Sequence, residues 1–160
     1  MSIRLLFVCL GNICRSPTAE GVMADLIRRE GMQDQVEVDS AGTGGWHVGS
    51  PPDSRATSTA AARGIPLQGA ARQITAADLS DFDLILAMDR SNLADIRRLA
   101  SDERQRAKVR LLREFDPNAD EEPEVPDPYY GAAGGFEEVL DLVGAACEGL
   151  LAQIKSGQIP

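Results

Sequence analysis

The sequence lacks the features of membrane proteins and of disulfide-bonded secreted proteins. No apolar run approaches the roughly 18 residues that a membrane-spanning helix needs, and no charged and then apolar leader opens the chain. Only three cysteines occur in 160 residues, an odd number that does not indicate a disulfide framework. We therefore expect a cytoplasmic protein whose cysteines are free thiols.

The chain also lacks an excess of positive charge. Its 16 Lys and Arg residues face 25 Asp and Glu residues, which gives a formal net charge of −9. Nucleic acids and anionic membranes are bound by clustered Lys and Arg that displace counterions, so we expect neither partner. Any anion that this protein binds must be held by a local site.

Motifs for nucleotides and for zinc are missing as well. The sequence has no Gly-Lys-Ser/Thr ending and no Gly-x-Gly-x-x-Gly run. Cys9, Cys14 and His47 are too few for a zinc site, and no second cysteine pair accompanies them. We therefore expect neither a nucleotide ligand nor a metal ion.

The sequence does contain an alternation of strand and helix patterns. Strands are predicted at residues 3–8, 36–40, 84–88 and 109–112, and helices at residues 16–30, 53–63, 91–99 and 136–154. Ser16 is expected to cap the first helix, with Pro17 at its first position. Such alternation is typical of a three-layer α/β/α fold around an open parallel sheet. We expect one domain over residues 1–160.

The segment between the first strand and the first helix has the composition of a phosphate-binding loop. Its backbone N–H groups and the helix dipole can face one anion. Gly11 and Asn12 are residue types that tolerate a left-handed backbone, and the guanidinium of Arg15 can hold two phosphoryl oxygens. The predicted phosphate-binding residues are Leu10, Gly11, Asn12, Ile13, Cys14, Arg15 and Ser16.

Cys9, at the carboxyl end of the first strand, is the predicted nucleophile. A helix N-terminus and a neighbouring arginine favour the thiolate form of a cysteine, and Ser16 is placed to donate a hydrogen bond to it. A buried structural cysteine does not explain why Asn12 and Arg15 stand beside Cys9. The pattern therefore indicates hydrolysis of phosphate monoesters by a cysteine thiolate.

The sequence Val-Cys-Leu-Gly-Asn-Ile-Cys-Arg-Ser-Pro at residues 8–17 resembles the signature of the low-molecular-weight protein tyrosine phosphatases. Other segments resemble that family in its usual order: Ser-Ala-Gly-Thr at 40–43, Pro-Pro-Asp at 51–53, Ala-Arg-Gln-Ile-Thr at 71–75, Ala-Met-Asp-Arg-Ser-Asn at 87–92 and Pro-Asp-Pro-Tyr-Tyr at 126–130. The resemblance covers essentially the whole chain. It implies a four-stranded parallel sheet flanked by helices and a two-step reaction without metal or cofactor.

The resemblance also implies the roles of three residues. Cys9 would form a cysteinyl phosphate, Arg15 would bind the phosphoryl group, and Asp127 would protonate the leaving phenolate and then activate water. The substrates would be phosphotyrosine proteins and small aryl phosphates, and the product inorganic phosphate. Asp116 is the competing acid, but two aromatic residues follow Asp127. We expect a bell-shaped dependence of rate on pH.

Aromatic side chains are expected to form a slot for the substrate ring, with Leu10 and Ile13 on its rim. The resemblance supports Tyr129 and Tyr130, whereas Trp46 is equally well read as a partly buried loop anchor.

Four further residues carry expectations of their own. The resemblance implies that Cys14 can form a reversible, protective disulfide with the nucleophile. Cys147 is expected in the core of the last helix, and His47 is expected to be a loop residue rather than a catalyst. Gly69 stands where the family commonly has a histidine that supports the loop, so we expect Asn12, Ser40 and Asp89 to restrain the loop instead.

Two other functions compete with phosphatase activity. An arsenate reductase of the same fold would need further cysteines near the middle of the chain, and none occurs between Cys14 and Cys147. A phosphate-binding module without catalysis is disfavoured because Cys9, Arg15 and Asp127 are all present.

Overall fold

Four parallel strands form the sheet in the described part of the chain. The computed structural model describes residues 2–119, 123–129, 131 and 134–159. Its strands are β1 (Ile3–Cys9), β2 (Val36–Gly42), β3 (Leu84–Ala87) and β4 (Val109–Leu111), in the order β2-β1-β3-β4. Every neighbouring pair is parallel. The predicted four-stranded parallel sheet is therefore confirmed.

Helices cover both faces of this sheet. The helices in the described residues are α1 (Arg15–Arg29), α2 (Ser54–Ala61), α3 (Asp78–Asp81), α4 (Arg90–Arg97), α5 (Glu103–Ala107) and α6 (Gly135–Lys155), with a 3₁₀ helix at Leu112–Phe115. α1 and α6 pack together on one face, and α3 and α4 pack on the other. The predicted three-layer arrangement is confirmed. None of the described helices is long and apolar enough to cross a membrane.

The side chains of β1 alternate between two cores. Leu5 and Phe7 pack in the cluster shared with α1 and α6, whereas Leu6 and Val8 pack in the cluster shared with α3 and α4. All four are fully buried, because a parallel strand between two helical layers has no solvent-facing side. Cys9 continues the series of Leu5 and Phe7. This alternation places it at the carboxyl end of β1, on the side of α1.

The start of α1 differs from the prediction. Arg15 is its first residue, and Cys14 precedes it without a side-chain cap. Ser16 and Pro17 lie inside the first turn, so the predicted cap at Ser16 and the predicted first position of Pro17 are wrong. Proline is tolerated there because the first N–H groups of a helix have no partner within the helix. The hydroxyl of Ser16 lies 3.0 Å from Cys9 Sγ instead.

Candidate active site

The loop between β1 and α1 is held by one left-handed residue and one close approach. Asn12 has φ 57°, as its residue type permits. Gly11 does not have a positive φ, so of these two tolerant residues only Asn12 adopts the left-handed backbone. A Cβ atom at Gly11 would lie 2.9 Å from Cδ2 of His47. The missing side chain of Gly11 therefore serves the packing of His47 against the loop.

The sulfur of Cys9 lies at the bottom of this loop. Ser16 Oγ is 3.0 Å from the sulfur, and the backbone N–H of Asn12 donates to it over 3.3 Å. Cys9 is 3% exposed. The Ser16 hydroxyl and the Asn12 N–H group thus face one buried sulfur, an arrangement that suits a negatively charged thiolate.

The side chain of Asn12 ties the loop to β2 and to the segment that follows Gly69. Its Nδ2 donates to Ser16 Oγ over 2.8 Å and to Ser40 Oγ over 3.0 Å, and its Oδ1 accepts from the backbone N–H of Arg72 over 3.0 Å. Asn12 is 3% exposed. These bonds hold the loop although Gly69 contributes no side chain.

Arg15 brings a buried positive charge to the end of the loop. Its Nη1 lies 2.6 Å from Asp89 Oδ2 and donates to the backbone oxygen of Val125 over 3.1 Å. Burial alone would lower the pKa of Arg15, but the neighbouring Cys9 sulfur and the Asp89 carboxylate raise it above its usual value. The guanidinium therefore stays charged at every working pH.

Asp127 is the carboxylate that the fold brings to this site. Its Oδ2 lies 3.6 Å from Nη2 of Arg15, and its Oδ1 accepts from the backbone N–H of Tyr129 over 3.1 Å. The side chain is 40% exposed, so it can reach a group that enters from solvent. Asp116 accepts from the backbone N–H of Asn118 and does not line the cavity that holds Cys9.

A cavity of about 400 Å³ opens above Cys9. Its lining residues are Cys9, Leu10, Gly11, Ile13, Cys14, Arg15, Trp46, His47, Asp127 and Tyr129. The fold thus gathers the predicted nucleophile, phosphate ligand, acid and most of the predicted slot around one space. Tyr130 lies outside the described residues. Among the described residues, no group of three His, Cys, Asp or Glu side chains is arranged to hold a metal ion.

Trp46 and His47, in the glycine-rich segment 42–49, both line this cavity. Trp46 is 74% exposed, which excludes the partly buried anchor, and its ring lies against Gly44, where a Cβ atom would overlap it. His47 is a loop residue, as predicted, but the sequence analysis did not predict its place on the cavity wall. Its ring centroid lies 6.1 Å from that of Tyr129. In the sequence, only the position of His47 next to Trp46 indicates that His47 lines the cavity.

Comparisons with known proteins agree with the geometry. The family model described as "Low molecular weight phosphotyrosine protein phosphatase" matches residues 4–158. The chain belongs to this family. It is 50% identical over 156 residues to the low molecular weight protein-tyrosine-phosphatase of Streptomyces coelicolor, covering 97% of this chain and 95% of that protein. The human low molecular weight phosphotyrosine protein phosphatase is 43% identical over 148 residues, 92% of each chain.

A solved structure agrees equally well. The protein tyrosine phosphatase from Entamoeba histolytica, crystallised with Hepes in its active site, superposes with a TM-score of 0.93 at 38% identity, covering 98% of this chain and 99% of that one. The family makes this chain a protein-tyrosine phosphatase, which is a hydrolase. The predicted family, fold class and enzyme class are thereby confirmed.

The surroundings of the other two cysteines, Cys14 and Cys147, favour their protonated form. Burial, followed by the charges of Asp53 and Cys9, raises the pKa of Cys14 to about 12. Burial also raises the pKa of Cys147, which is fully enclosed in the core. Cys147 therefore has the predicted core role. Cys14 shares the cavity with Cys9, and their disulfide stays a prediction.

Proposed function

We propose that the chain hydrolyses phosphotyrosine in proteins, and small aryl phosphates, through a cysteinyl phosphate on Cys9. The observation that carries the proposal is the placement of Cys9 Sγ within hydrogen-bonding distance of the Ser16 hydroxyl and the Asn12 N–H group, in the cavity that Arg15 and Asp127 also line. An enzyme that attacks a phosphate dianion must first neutralise its charge. The loop provides that neutralisation at the nucleophile itself.

Phosphate binding is assigned to the loop and to one side of the Arg15 fork. Nη1 of Arg15 is already engaged by Asp89 and Val125. The Nε and Nη2 atoms are therefore the pair that would hold two phosphoryl oxygens. The backbone N–H groups of residues 10–16, at the start of α1, would bind the remaining charge.

The reaction would proceed in two displacement steps. In the first step, the Cys9 thiolate forms an S–P bond while the bond from phosphorus to the phenolic oxygen breaks, and Asp127 gives its proton to that oxygen. In the second step, Asp127 takes a proton from water, the water oxygen attacks phosphorus, and the S–P bond breaks. Ser16 would stabilise the sulfur as it leaves. The product is inorganic phosphate.

The walls of the cavity favour an aromatic phosphate. Ile13 and Tyr129 line the slot above the sulfur, with Leu10 and Trp46 exposed at its mouth. A flat ring would be packed between these apolar surfaces, whereas the short side chain of phosphoserine would leave them empty. We propose that a phosphotyrosine protein is the partner, that residues 1–160 form one phosphatase domain, and that the enzyme works in the cytoplasm. Tyr130 remains a predicted member of the slot.

Two variants and one matched control test the assignment. Cys9→Ser should abolish hydrolysis of p-nitrophenyl phosphate and of a phosphotyrosine peptide, because a serine hydroxyl is not ionised at working pH. Asp127→Ala should slow the peptide reaction by about 10²-fold or more. Asp116→Asn should keep nearly full activity. Activity retained by Cys9→Ser, or a larger loss at Asp116 than at Asp127, would contradict the roles proposed here.

The arsenate reductase alternative is disfavoured by the place of Cys147. A reductase must transfer the oxidation of its nucleophilic cysteine to another cysteine. Cys147 lies on α6 and is fully buried in the core. Cys14, the remaining thiol, is a loop neighbour of Cys9. We expect no arsenate reduction in a thioredoxin-coupled assay. Turnover of an aryl phosphate by the same sample would exclude a binding module without catalysis.

A further inference from the structure

A line of hydrogen bonds leads from Cys9 to residues that do not line the substrate cavity. Ser16 Oγ bonds Cys9, Asn12 Nδ2 bonds both Ser16 and Ser40, and Ser40 Oγ lies 2.6 Å from Oε1 of Glu20. We call this series of five residues the relay. Glu20, on the second turn of α1, is its half-buried end.

Counting donors fixes the direction of the hydrogen bonds that Asn12 makes in the relay. The backbone N–H of Arg72 can only donate, so the atom of Asn12 that faces it is the carbonyl Oδ1. The amide nitrogen of Asn12 must then face Ser16 and Ser40, and both of its hydrogens are used. Each serine oxygen therefore accepts one hydrogen bond from Asn12.

The same count places the hydroxyl hydrogens of the two serines. Ser40 accepts from Asn12, so its own hydrogen points to Glu20 over 2.6 Å, a length typical of a hydroxyl that donates to a carboxylate. Ser16 also accepts from Asn12, and its hydrogen has two acceptors: Cys9 Sγ at 3.0 Å and the backbone oxygen of Ala41 at 3.4 Å. A thiolate at Cys9 is the nearer and the charged acceptor.

We propose that Glu20 is a positioning residue for the nucleophile: its carboxylate accepts the Ser40 hydrogen, which leaves the Ser40 oxygen to accept from the Asn12 amide, and this amide directs the Ser16 hydrogen toward the Cys9 thiolate. The inference rests on the proposed function, because it assumes that Cys9 reacts as a thiolate. Glu20 touches neither substrate nor sulfur and acts only through the relay.

The surroundings of Glu20 make this device dependent on pH. Burial, opposed by the hydrogen bond from Ser40, raises the pKa of Glu20, while Asp39 raises it further and Arg72 lowers it. Along its own helix, the ion pair of Asp25 and Arg28 shares a groove with Glu20. A small cavity beside Glu20, bordered by Gly69, gives it access to protons. As pH falls through this raised pKa, Glu20 is neutralised at a higher pH than an ordinary glutamate.

Three variants of the full chain separate positioning from a merely structural role. Glu20→Ala removes the acceptor of Ser40, and Glu20→Gln keeps an amide oxygen in its place without charge. Glu37→Ala is the matched control, because Glu37 accepts from Ser2 Oγ in a glutamate–serine bond on the exposed surface. Each variant is compared with wild type by kcat and KM on p-nitrophenyl phosphate and by the rate at which iodoacetamide alkylates Cys9.

The expected result is a change in kcat with little change in KM. Glu20→Ala should lose about tenfold in kcat and in alkylation rate, because one charge-assisted hydrogen bond is gone. Glu20→Gln should recover most of that loss, and Glu37→Ala should match wild type. As pH falls, the ratio of wild-type to Glu20→Gln rates should approach one, because wild-type Glu20 becomes neutral too. A structural role would leave that ratio constant.

A second measurement keeps the proposal testable if Glu20→Ala folds poorly. In a double-mutant cycle, Glu20→Gln should add no further loss to Ser40→Ala, because the relay is already broken there. Additive losses, a constant ratio across pH, or equal rates for Glu20→Gln and wild type at neutral pH would overturn the role of Glu20. An inactive wild type, or Cys9 that resists alkylation in every variant, would instead contradict the proposed function.

Discussion

At the scale of single residues, the site depends on charges and hydrogens that are held in fixed places. Arg15 is buried beside Asp89. Both amide hydrogens and the carbonyl oxygen of the Asn12 side chain are hydrogen-bonded to neighbouring residues. Such groups need not reorganise when a phosphoryl group arrives, which is the condition for electrostatic catalysis. The residue types were predictable from the sequence, but their partners were not.

The two buried thiols should destabilise the fold at alkaline pH. The folded-state pKa of Cys14 is raised from 9.0 to about 12, and that of Cys147 is raised as well. The folded state therefore binds more protons than the unfolded state, so the stability is complete below about pH 9 and is lost as pH rises toward 12. Thermal unfolding of wild type and of Cys147→Ala between neutral and alkaline pH measures this loss. An equal slope in both proteins would contradict the role of Cys147.

At the scale of elements, the close packing of α6 depends on one glycine. A Cβ atom at Gly149 would overlap the backbone oxygen of Phe115 in the 3₁₀ helix, whereas a Cβ atom at Gly144 would meet nothing within 4 Å. The two positions lie on the same helix. Substitutions at the two positions therefore test whether the contact with Phe115 determines the packing of α6.

We expect Gly149→Ala to cost about 3 kcal/mol in the free energy of unfolding, because α6 must move away from backbone atoms. Gly144→Ala should instead stabilise the protein by about 0.5–1 kcal/mol, since alanine is the better helix former. Urea unfolding of both variants makes the comparison. Equal effects at the two positions would show that the contact with Phe115 does not govern the packing of α6.

The elements also show what the sequence could and could not predict. The apolar run of β1 and the stripe of α6 span several buried positions each, so their patterns are clear. α3 and α5 have four and five residues, which is too short for a helical period to appear, and they were missed. Ser16 was predicted as a cap because serine is common there, but the sulfur of Cys9 competes for its hydroxyl. His47 reaches the cavity through loop geometry that no periodicity encodes.

At the scale of the whole molecule, the net charge opposes the substrate. A chain with a formal charge of −9 repels a phosphopeptide at long range, and only the local field of the loop attracts it. Salt screens the long-range part far more than the buried contacts. Association should therefore depend on the charge of the residues around the phosphotyrosine.

We expect kcat/KM for a phosphotyrosine peptide with acidic flanks to rise about twofold between about 20 and 200 mM ionic strength. A peptide of the same length with basic flanks should show the opposite trend, which controls for competition by the added anion. Stopped assays with an inert salt measure both. Parallel trends for the two peptides would show that the net charge does not influence encounter.

The most direct test of the account is a search for the phosphoryl group on Cys9. In Asp127→Ala, p-nitrophenyl phosphate should still phosphorylate the enzyme, because its leaving group needs no proton, while hydrolysis of the intermediate is slowed. Rapid acid quenching and mass spectrometry should find one phosphoryl group on the peptide that contains Cys9. Continued release of phosphate with that peptide unmodified, or with the phosphoryl group on another residue, would contradict the mechanism.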